Sequence, residues 1–293
     1  MNRRQFLLAA WFAFAALAAG ACAADTVLYE KASRYGDIIV TEDESGLRTL
    51  RFEKGGARQS VVKPGDPDYL ELPYTRVALA GLALCAEPRR VLIVGLGGGT
   101  LAMFLHRHYP QAVIDVVDID ADVVQAARRF FGFREDERLR AHVADGREFI
   151  EKTALPYDAV FLDAFGANSV PPHLTTIEFL RAVRRAVTPG GIVIGNVWGR
   201  YANSLYDSMT RTYREAFAAV AVVDVRDSGN KIVLALPRRQ PLDRAGLAAL
   251  ARRTSAAHHF PFDAGELIDY GYERSAGSAA EGRVLTDANP KQP

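Results

Sequence analysis

The stretch VLIVGLGGGTLAMFLHRHYPQAVIDVVD, residues Val91 to Asp118, decides the fold. A short apolar run, Val91–Val94, ends in glycines at 95, 97, 98 and 99, and a second apolar run, Val113–Val117, stops at Asp118. This order predicts a strand, a tight turn, a helix and a second strand ending in an acid. Glycines at Gly95, Gly97 and Gly99 let the backbone approach a ligand, and the acid can bind ribose hydroxyls. The stretch therefore predicts a site for an adenosine-containing molecule.

Length and charge set broad limits on the protein. The chain has 293 residues, enough for one large domain and a smaller one. Its formal net charge is +1, and its hydrophobic content is ordinary for a soluble enzyme. Nothing in this balance indicates nucleic-acid binding, so we expect no nucleic-acid partner.

Residues 1–24 predict an export signal. Two arginines precede an uncharged apolar run, Phe6–Ala24, which ends in small residues. The start, Arg3-Arg4-Gln5-Phe6-Leu7, also matches the twin-arginine pattern R-R-x-F-L, a route that carries folded proteins. An ordinary secretory signal is one alternative. An uncleaved inner-membrane anchor is another, because the run approaches the roughly 20 residues of a membrane span. We expect a periplasmic protein that contacts the membrane only through this segment.

Cysteine and histidine usage predicts neither a disulfide nor a metal site. The chain has two cysteines, Cys22 and Cys85, and Cys22 lies inside the predicted signal. A mature chain would keep one, so no intrachain disulfide is expected even in an oxidising compartment. No metal-ligand spacing appears, and we expect no metal.

The pattern predicts four segments. These are an export signal at 1–24, a small β domain at 25–75, a nucleoside-binding domain at 76–237, and a helical extension with a tail at 238–293. From Val27 to Val62, short alternating runs are broken by Glu-Ser-Gly and Lys-Gly-Gly, which indicates antiparallel hairpins. Tyr69–Leu84 then predicts a helix that leads into the glycine-rich stretch.

From Val91 onward, apolar runs alternate with helical stretches, which predicts α/β structure with parallel strands and crossover helices. The predicted strands are Val91–Val94, Val113–Val117, Leu139–Val143, Ala159–Leu162, Ile192–Val197, Ala219–Val225 and Ile232–Leu236. The last two are too close in sequence for a crossover and must form a hairpin. This is a doubly wound, mostly parallel, seven-stranded Rossmann-like sheet with one reversed strand. Such a sheet is typical of class I methyltransferases rather than of nicotinamide dehydrogenases.

Acids follow three successive predicted strands. Asp118 ends the second strand, Asp145-Gly146 follows the third, and Asp163 follows the fourth. In an open α/β sheet, ligands bind outside the carboxyl ends of the strands, so these carboxylates should share one rim with the glycines. One such acid is commonly a helix N-cap. Three in succession favour a ligand site, most clearly for Asp118 and Asp145.

These residues resemble the spermidine synthase-like (polyamine aminopropyltransferase) family, which has the class I methyltransferase fold. The resemblance covers about Val27 to Leu236. Its motifs are VLIVGLGGGTL, VVDIDADVV, ADGREFI, YDAVFLDAF and VPPHLTTIEF, with LRFEKGGARQS and DPDYLELPYT before them and Leu285-Thr286-Asp287 near the tail. The resemblance implies transfer of an aminopropyl group from decarboxylated S-adenosylmethionine to an amine such as putrescine. It also implies the homodimers that are common in the family.

The resemblance implies a role for each matching residue. Asp118 falls on the residue that binds the ribose hydroxyls, and Asp145 with Gly146 on the residues at the adenine edge. Gln59 falls where the family contacts the nucleoside. Asp163 falls on the aspartate that accepts the proton of the attacking amine, and Tyr69 with Glu71 on the Tyr-x-Glu of the amine pocket. Tyr69 has a simpler alternative as part of the apolar face of a connecting helix, and Glu71 has one as a solvated side chain.

The acceptor half departs from the family pattern. Gly98 stands where the synthases carry the acid that holds the aminopropyl amine, and Gly166 replaces a second acid. Arg226 falls near a tyrosine of the amine site, and Tyr35-Gly36 replaces a Tyr-Gln pair. The slot is therefore expected to be less anionic than in the synthases.

Three functions are consistent with the sequence. The first is a spermidine synthase-like aminopropyltransferase acting on a small-molecule amine. The second is a methyltransferase-like enzyme that uses intact S-adenosylmethionine, which Gly98 favours. The third is an exported protein that binds nucleoside or polyamine without turnover, which the export signal favours, since sulfonium nucleosides are made and consumed in the cytosol.

Overall fold

The computed structural model describes residues 25–166, 169–273 and 282–290. The predicted export signal at 1–24 lies outside the described residues. The chain begins with a four-stranded antiparallel sheet in the order β1-β2-β3-β4. Its strands are β1 (Thr26–Ala32), β2 (Asp37–Glu42), β3 (Arg48–Arg51) and β4 (Arg58–Val62). The predicted hairpins are thus present.

The central sheet contains eight strands. They are β5 (Arg90–Val94), β6 (Val113–Asp118), β7 (Leu139–Val143), β8 (Tyr157–Leu162), β9 (Val187–Trp198), β10 (Ala219–Asp224), β11 (Asn230–Leu236) and β12 (Tyr272–Glu273). Their order is β12-β10-β11-β9-β8-β5-β6-β7. Strands β5 to β9 pair in parallel, and β11 pairs antiparallel with both β9 and β10. The predicted fold class and the predicted late hairpin are therefore confirmed.

Two details of this sheet differ from the sequence prediction. The sheet has eight strands rather than seven, because the two-residue β12 adds an antiparallel edge to β10. A strand of two residues is too short to leave an alternating pattern. The turn-forming sequence Pro189-Gly190-Gly191, which precedes the predicted strand Ile192–Val197, lies inside β9, where the pairing with β8 shifts register between Tyr157 and Ala159. The turn residues therefore interrupt the strand locally without ending it.

Eight helices connect and cover the strands in the described residues. They are α1 (Pro73–Ala80), α2 (Thr100–His108), α3 (Ala121–Phe130), α4 (Gly146–Lys152), α5 (Ile177–Arg185), α6 (Tyr206–Ala216), α7 (Arg244–Ala257) and α8 (Ala264–Gly271), with short 3₁₀ turns at Gly81–Leu84 and Pro172–Leu174. The helix predicted at Tyr69–Leu84 starts four residues late. Pro73 occupies its first turn, where a missing N–H has no cost. Four of the helices, α3, α4, α7 and α8, are N-capped by aspartate.

Alternation along β5 divides the core between the two faces of the sheet. Val91 and Ile93 pack in one buried cluster with α1, α2, α7 and α8. Leu92 and Val94 pack in the other, with α5 and α6. Since successive strand residues point to opposite faces, a run buried on both sides reads as continuously apolar. This is why the stretch from Val91 to Val94 is so clear in the sequence.

The N-terminal sheet is fixed to the α/β domain by its own apolar cluster. Ile38, Val40 and Leu50 of the small sheet pack with Val123 and Phe131, which lie on and just after α3. The two sheets therefore hold a defined relation to each other. Among the described helices, none has the length and apolar character needed to cross a membrane.

Candidate active site

A cavity of about 480 Å³ lies at the carboxyl ends of the parallel strands, beneath the N-terminal sheet. The glycine loop after β5 and the residues that follow β6, β7 and β8 form its floor. Tyr35, Phe52, Arg58 and Gln59 contribute from the N-terminal sheet and its loops. Gln59 is therefore brought to the same cavity as the strand-end carboxylates. This is where the sequence predicted a ligand.

The glycine loop is shaped by close contacts with the backbone. Gly95 has φ +103°, and a Cβ at this position would collide with the carbonyl oxygen of Asp163. Gly97 has φ +55° and lines the cavity beside Gly95. Gly99 has φ +83° and is the N-cap of α2, where an added Cβ would lie 2.8 Å from the Phe133 ring. It is absent from the described cavity lining, so its place in the structure is to start α2.

Asp118 fastens the end of β6 to the glycine loop. Its carboxylate accepts the backbone N–H of Leu96 at 2.9 Å and that of Asp120 at 2.9 Å. Burial raises the pKa of Asp118, while these backbone donors act in the opposite direction. The carboxylate lines the cavity next to the loop. It is therefore placed to accept hydrogen bonds from a sugar bound there.

Asp120 joins the two domains at the cavity. It N-caps α3 by accepting the Asp122 N–H, and its other oxygen accepts the Ser33 hydroxyl at 2.5 Å. Ser33 lies in the loop between β1 and β2, and both residues line the cavity. The second acid of the Asp118-Ile119-Asp120 segment is thus a helix cap and an interdomain contact.

Asp145 caps α4 and contacts a histidine across the cavity. One carboxylate oxygen accepts the N–H groups of Arg147 and Glu148, at 2.8 and 3.2 Å. The other lies 2.8 Å from Nε2 of His173. Gly146 also lines the cavity. Asp145 is therefore both a helix cap and a ligand candidate, and His173 also lines the cavity.

Asp163 lies at the base of the cavity with two donors on its carboxylate. The Tyr74 hydroxyl donates at 3.0 Å and the Asn196 amide at 2.9 Å. Burial raises the pKa of Asp163 to about 6, and the two hydrogen bonds oppose that shift. Burial also raises the pKa of Tyr74 well above its ordinary value, so its hydroxyl stays protonated as a donor. The site thus holds an oriented carboxylate that titrates near neutrality.

Tyr74 and Asn196 were not anticipated from the sequence. Tyr74 lies in α1, 89 residues before Asp163, and Asn196 lies in β9, 33 residues after it. Asn196 is a polar residue in an otherwise apolar strand, and that was the available signal. Its amide oxygen accepts from Asn230 at 2.8 Å, and Asn230 meets the Ser228 hydroxyl at 2.6 Å. This chain of side chains holds the Asn196 amide in one orientation.

Tyr69 and Glu71 are absent from the described lining of the cavity. The Tyr69 hydroxyl donates to Glu71 at 2.9 Å, and Arg58 pairs with the other Glu71 oxygen at 3.1 Å. Arg58, by contrast, lines the cavity. The structure therefore brings the predicted Tyr-x-Glu pair together just outside the cavity, with its charge balanced by an arginine.

Three positions that depart from the family pattern, Gly98, Gly166 and Arg226, lie in different environments. A Cβ at Gly98 would lie 2.9 Å from Ser60 Oγ and 3.0 Å from Val62 Cγ2, so a side chain there would require these neighbours to shift. Gly166 lines the cavity, and among the described residues a Cβ there would meet only the Ser169 carbonyl at 3.6 Å. Arg226 is exposed and lies over the Tyr270 ring at 4.2 Å. The expectation that Arg226 enters the slot is wrong, because its hairpin position points it toward α8.

A tail segment fastens the side of the cavity that carries Asp145 and His173. The two terminal guanidinium nitrogens of Arg147 each donate to the Asp287 carboxylate at 2.7 Å. The Thr176 hydroxyl also donates to Asp287 at 2.7 Å. Leu285 is fully buried beside it. We call these contacts the tail clamp. It joins α4, which Asp145 caps, to the N-cap of α5 and to the loop carrying His173.

Asp287→Ala should weaken nucleoside binding more than it slows the chemical step, because the clamp positions Asp145 and His173 without touching the base of the cavity. Asp287 is partly exposed, so we expect a loss of only about 1 kcal/mol, or about fivefold in nucleoside affinity. Titration calorimetry measures this. Glu151→Ala is the matched control, since it removes the other carboxylate partner of Arg147. Equal losses in the two variants would contradict the role of the clamp.

Within residues 25–166, 169–273 and 282–290, no group of three or more histidine, cysteine, aspartate or glutamate side chains is arranged to hold a metal ion. The candidate site is made of carboxylates, amides, hydroxyls and aromatic rings.

The chain matches a known family over just over half its length. Residues 72–226 match the family described as the spermine/spermidine synthase domain. The polyamine aminopropyltransferase of Vibrio vulnificus is 35% identical over 230 residues, covering 75% of this chain and 76% of that protein. The chain therefore belongs to the spermine/spermidine synthase family, as its motifs indicated.

Solved structures share the fold. A probable spermidine synthase from Corynebacterium glutamicum superposes with a TM-score of 0.70 at 22% identity, covering 90% of this chain and 98% of that one. Human methyltransferase-like protein 13, solved in complex with SAH, superposes with a TM-score of 0.59 at 29% identity, covering 65% of this chain and 94% of that one. The class I methyltransferase fold is thus common to both kinds of neighbour.

Proposed function

We propose that this protein is an aminopropyltransferase, which moves an aminopropyl group from decarboxylated S-adenosylmethionine to a small amine. The observation that carries the proposal is the Asp163 carboxylate, buried at the base of the cavity, held by two donors, with its pKa raised to about 6. A general base needs a defined orientation and a pKa near the working pH. Membership of the spermine/spermidine synthase family supports the same reaction.

The cavity suits the two substrates at different ends. Asp118, the glycine loop and Asp145 with Gly146 line one end, and we assign them to the ribose and adenine of the nucleoside. We call this the nucleoside end. Asp163 lies at the other, where the amine would bind. Holding both reactants in one cavity replaces an encounter in solution by an oriented attack.

The reaction is a displacement with a proton transfer. The amine nitrogen attacks the methylene next to the sulfonium, and a C–N bond forms as the C–S bond breaks. The electron pair of that bond goes to sulfur, so methylthioadenosine leaves, and the Asp163 carboxylate accepts the proton of the amine. Tyr74 and Asn196 keep the carboxylate facing the cavity during this transfer.

The direct test is product formation. Purified protein is incubated with decarboxylated S-adenosylmethionine and a panel of primary amines, and methylthioadenosine is measured by chromatography. We expect release that depends on an amine. No methylthioadenosine with any amine would exclude this function.

A methyltransferase-like reaction is the second candidate. It is favoured by Gly98, which supplies no acid to select the decarboxylated nucleoside and is closely surrounded by Ser60 and Val62. The likeness to human methyltransferase-like protein 13 points the same way. Calorimetry with intact and decarboxylated S-adenosylmethionine separates the two candidates. A clear preference for the intact form would replace the first proposal by the second.

We also propose that residues 1–24 direct export to the periplasm. The basic start, the apolar run and the R-R-x-F-L pattern support this. A fusion of these residues to a reporter that is active only outside the cytoplasm tests the proposal. Activity should disappear when Arg3 and Arg4 become lysines if the twin-arginine route is used. A reporter that stays silent with the unchanged segment would refute export.

Tyr74→Phe should move the acidic limb of the pH–rate profile upward. The deprotonated Asp163 carboxylate is the active form, so turnover should rise with pH through about 6 and fall below it. The Tyr74 hydroxyl stabilises the charged carboxylate, so its loss should raise the pKa of Asp163 by roughly one unit. The profile of kcat/KM against pH measures the shift.

Tyr109→Phe is the control for that experiment. Tyr109 lies just after α2, at the opposite end of this helix from the glycine loop, and stacks on His258. The acidic limb of the pH–rate profile of Tyr109→Phe should match that of the unmodified protein. An unshifted limb in Tyr74→Phe would remove Tyr74 from the control of Asp163.

A further inference from the structure

The end of the cavity around Asp163, which we call the acceptor end, has aromatic and amide walls. Phe165 and Trp198 line it, with ring centroids 5.6 Å apart. Phe165 follows Asp163 by two residues, and Trp198 follows Asn196 by two. Asn230 also lines the cavity and bonds to the Asn196 amide oxygen. These groups offer apolar surface and hydrogen bonds, and none of them carries charge.

Negative charge is concentrated away from the acceptor end. Of the four carboxylates that line the cavity in the described residues, three belong to the nucleoside end: Asp118, Asp120 and Asp145. Each of these already accepts hydrogen bonds from the protein. Asp163 is the fourth. Positions 167 and 168, the next residues of its loop, are Ala and Asn in the sequence.

Glu71, which directly precedes the lining residue Leu72, is already neutralised. Glu71 pairs with Arg58 at 3.1 Å and accepts the Tyr69 hydroxyl at 2.9 Å, and it is absent from the described lining. Arg58, which does line the cavity, places positive charge on that side. This ion pair therefore offers a second ammonium group no unpaired carboxylate.

We infer that the acceptor is a primary amine with one cationic nitrogen and an uncharged remainder. Asp163 pairs with the single ammonium group and then takes its proton. The uncharged remainder packs on Phe165 and Trp198 or bonds to Asn230. Among the described lining residues, a diamine finds no carboxylate for its second ammonium apart from those at the nucleoside end, and an unpaired buried charge is strongly unfavourable. This inference rests on the proposed function and names its substrate class.

The experiment compares two amines of nearly equal length, 1-aminopentane and putrescine. They differ in that a methyl group replaces the second ammonium. With decarboxylated S-adenosylmethionine as donor, kcat/KM for 1-aminopentane should exceed that for putrescine by roughly tenfold or more. An equal or higher value for putrescine would overturn the inference.

A binding measurement separates this inference from the proposed function. Each amine is titrated calorimetrically into the protein saturated with methylthioadenosine. Tighter binding of 1-aminopentane supports the inference even if neither amine is turned over, a result that would sink the proposed function alone. Tighter binding of putrescine, or no binding of either amine, overturns the inference.

A substitution at Gly166 can add a carboxylate to the acceptor end. A side chain at this position meets little, since the only described atom near an added Cβ is the Ser169 carbonyl at 3.6 Å. Gly166→Asp should raise the putrescine to 1-aminopentane ratio of kcat/KM by roughly tenfold. Gly166→Asn has the same shape without charge and should keep the original order of the two amines. If both variants change the ratio equally, charge is not the determinant, and the inference fails.

Discussion

Asp163→Asn is expected to lower aminopropyl transfer by about 10²- to 10⁴-fold, the usual contribution of a general base. Asparagine has nearly the size of aspartate, so the Asn196 amide can still donate to its oxygen. The Tyr74 hydroxyl, which donates to Asp163 at 3.0 Å, can accept from the new amide by rotating. The hydrogen bonds at the base of the cavity therefore survive, while the proton acceptor is lost.

Single-turnover release of methylthioadenosine measures this loss, and calorimetry with decarboxylated S-adenosylmethionine provides the internal control. Nucleoside affinity should remain nearly that of the unmodified protein, because Asp118 and Asp145 are untouched. A variant that turns over at the original rate would take Asp163 out of the mechanism. Loss of both turnover and nucleoside binding would mean that Asp163 maintains the shape of the cavity rather than acting as the base.

Gly95→Ala is expected to cost about 3 kcal/mol of unfolding free energy and to remove nucleoside binding. Gly95 has φ +103°, a conformation that side chains rarely adopt, and an added Cβ would collide with the backbone carbonyl of Asp163. The backbone has few ways to yield, because β5 and β8 are hydrogen-bonded neighbours up to this point. Relief of the collision must move either the glycine loop or Asp163.

Gly190→Ala is the matched control for this variant. Gly190 has an ordinary φ and nothing within 4 Å of an added Cβ, so its unfolding free energy should stay within about 0.5 kcal/mol. Urea denaturation followed by circular dichroism compares the two. If Gly95→Ala has the same unfolding free energy as Gly190→Ala and still binds nucleoside, the glycine loop is not held as tightly as its contacts indicate.

The central fold could be predicted because its signals are local. The apolar run of β5 is buried on both faces, and the glycine loop and Asp118 follow it within the same stretch of sequence. Parallel strands also bring Asp118, Asp145 and Asp163 to one rim by topology alone. The strand β12 could not be predicted in this way, since Tyr272–Glu273 pairs with β10 only through tertiary contacts.

The partners of the site residues were harder to predict than the residues themselves. Asp163 is visible as an acid after a strand, but its donors Tyr74 and Asn196 come from distant segments. Spacing in a sequence does not state which side chains meet. The same limit applies to Tyr69 and Glu71, whose spacing matched an amine pocket but whose side chains bond to each other and to Arg58.

The departures at Gly98 and Gly166 look alike in the sequence but differ in space. Gly98 is closely surrounded by Ser60, Val62 and Phe131, so a side chain there would require these residues to shift. Gly166 lines the cavity. An acid at position 98 therefore needs local repacking, while at position 166 charge can be changed with little disturbance of the described neighbours.

The Arg147–Asp287 contact of the tail clamp can form only late in the synthesis of the chain. Arg147 and Asp287 are separated by 140 residues, so the ribosome releases α4 long before it makes the carboxylate that pairs with it. A partly made chain that ends before Asp287 lacks the contact that fixes α4 to α5. Because contacts between distant segments form slowly, we expect this contact to form after the sheet has folded. Nucleoside affinity should therefore gain its last factor of about five only when the chain has been made through Asp287.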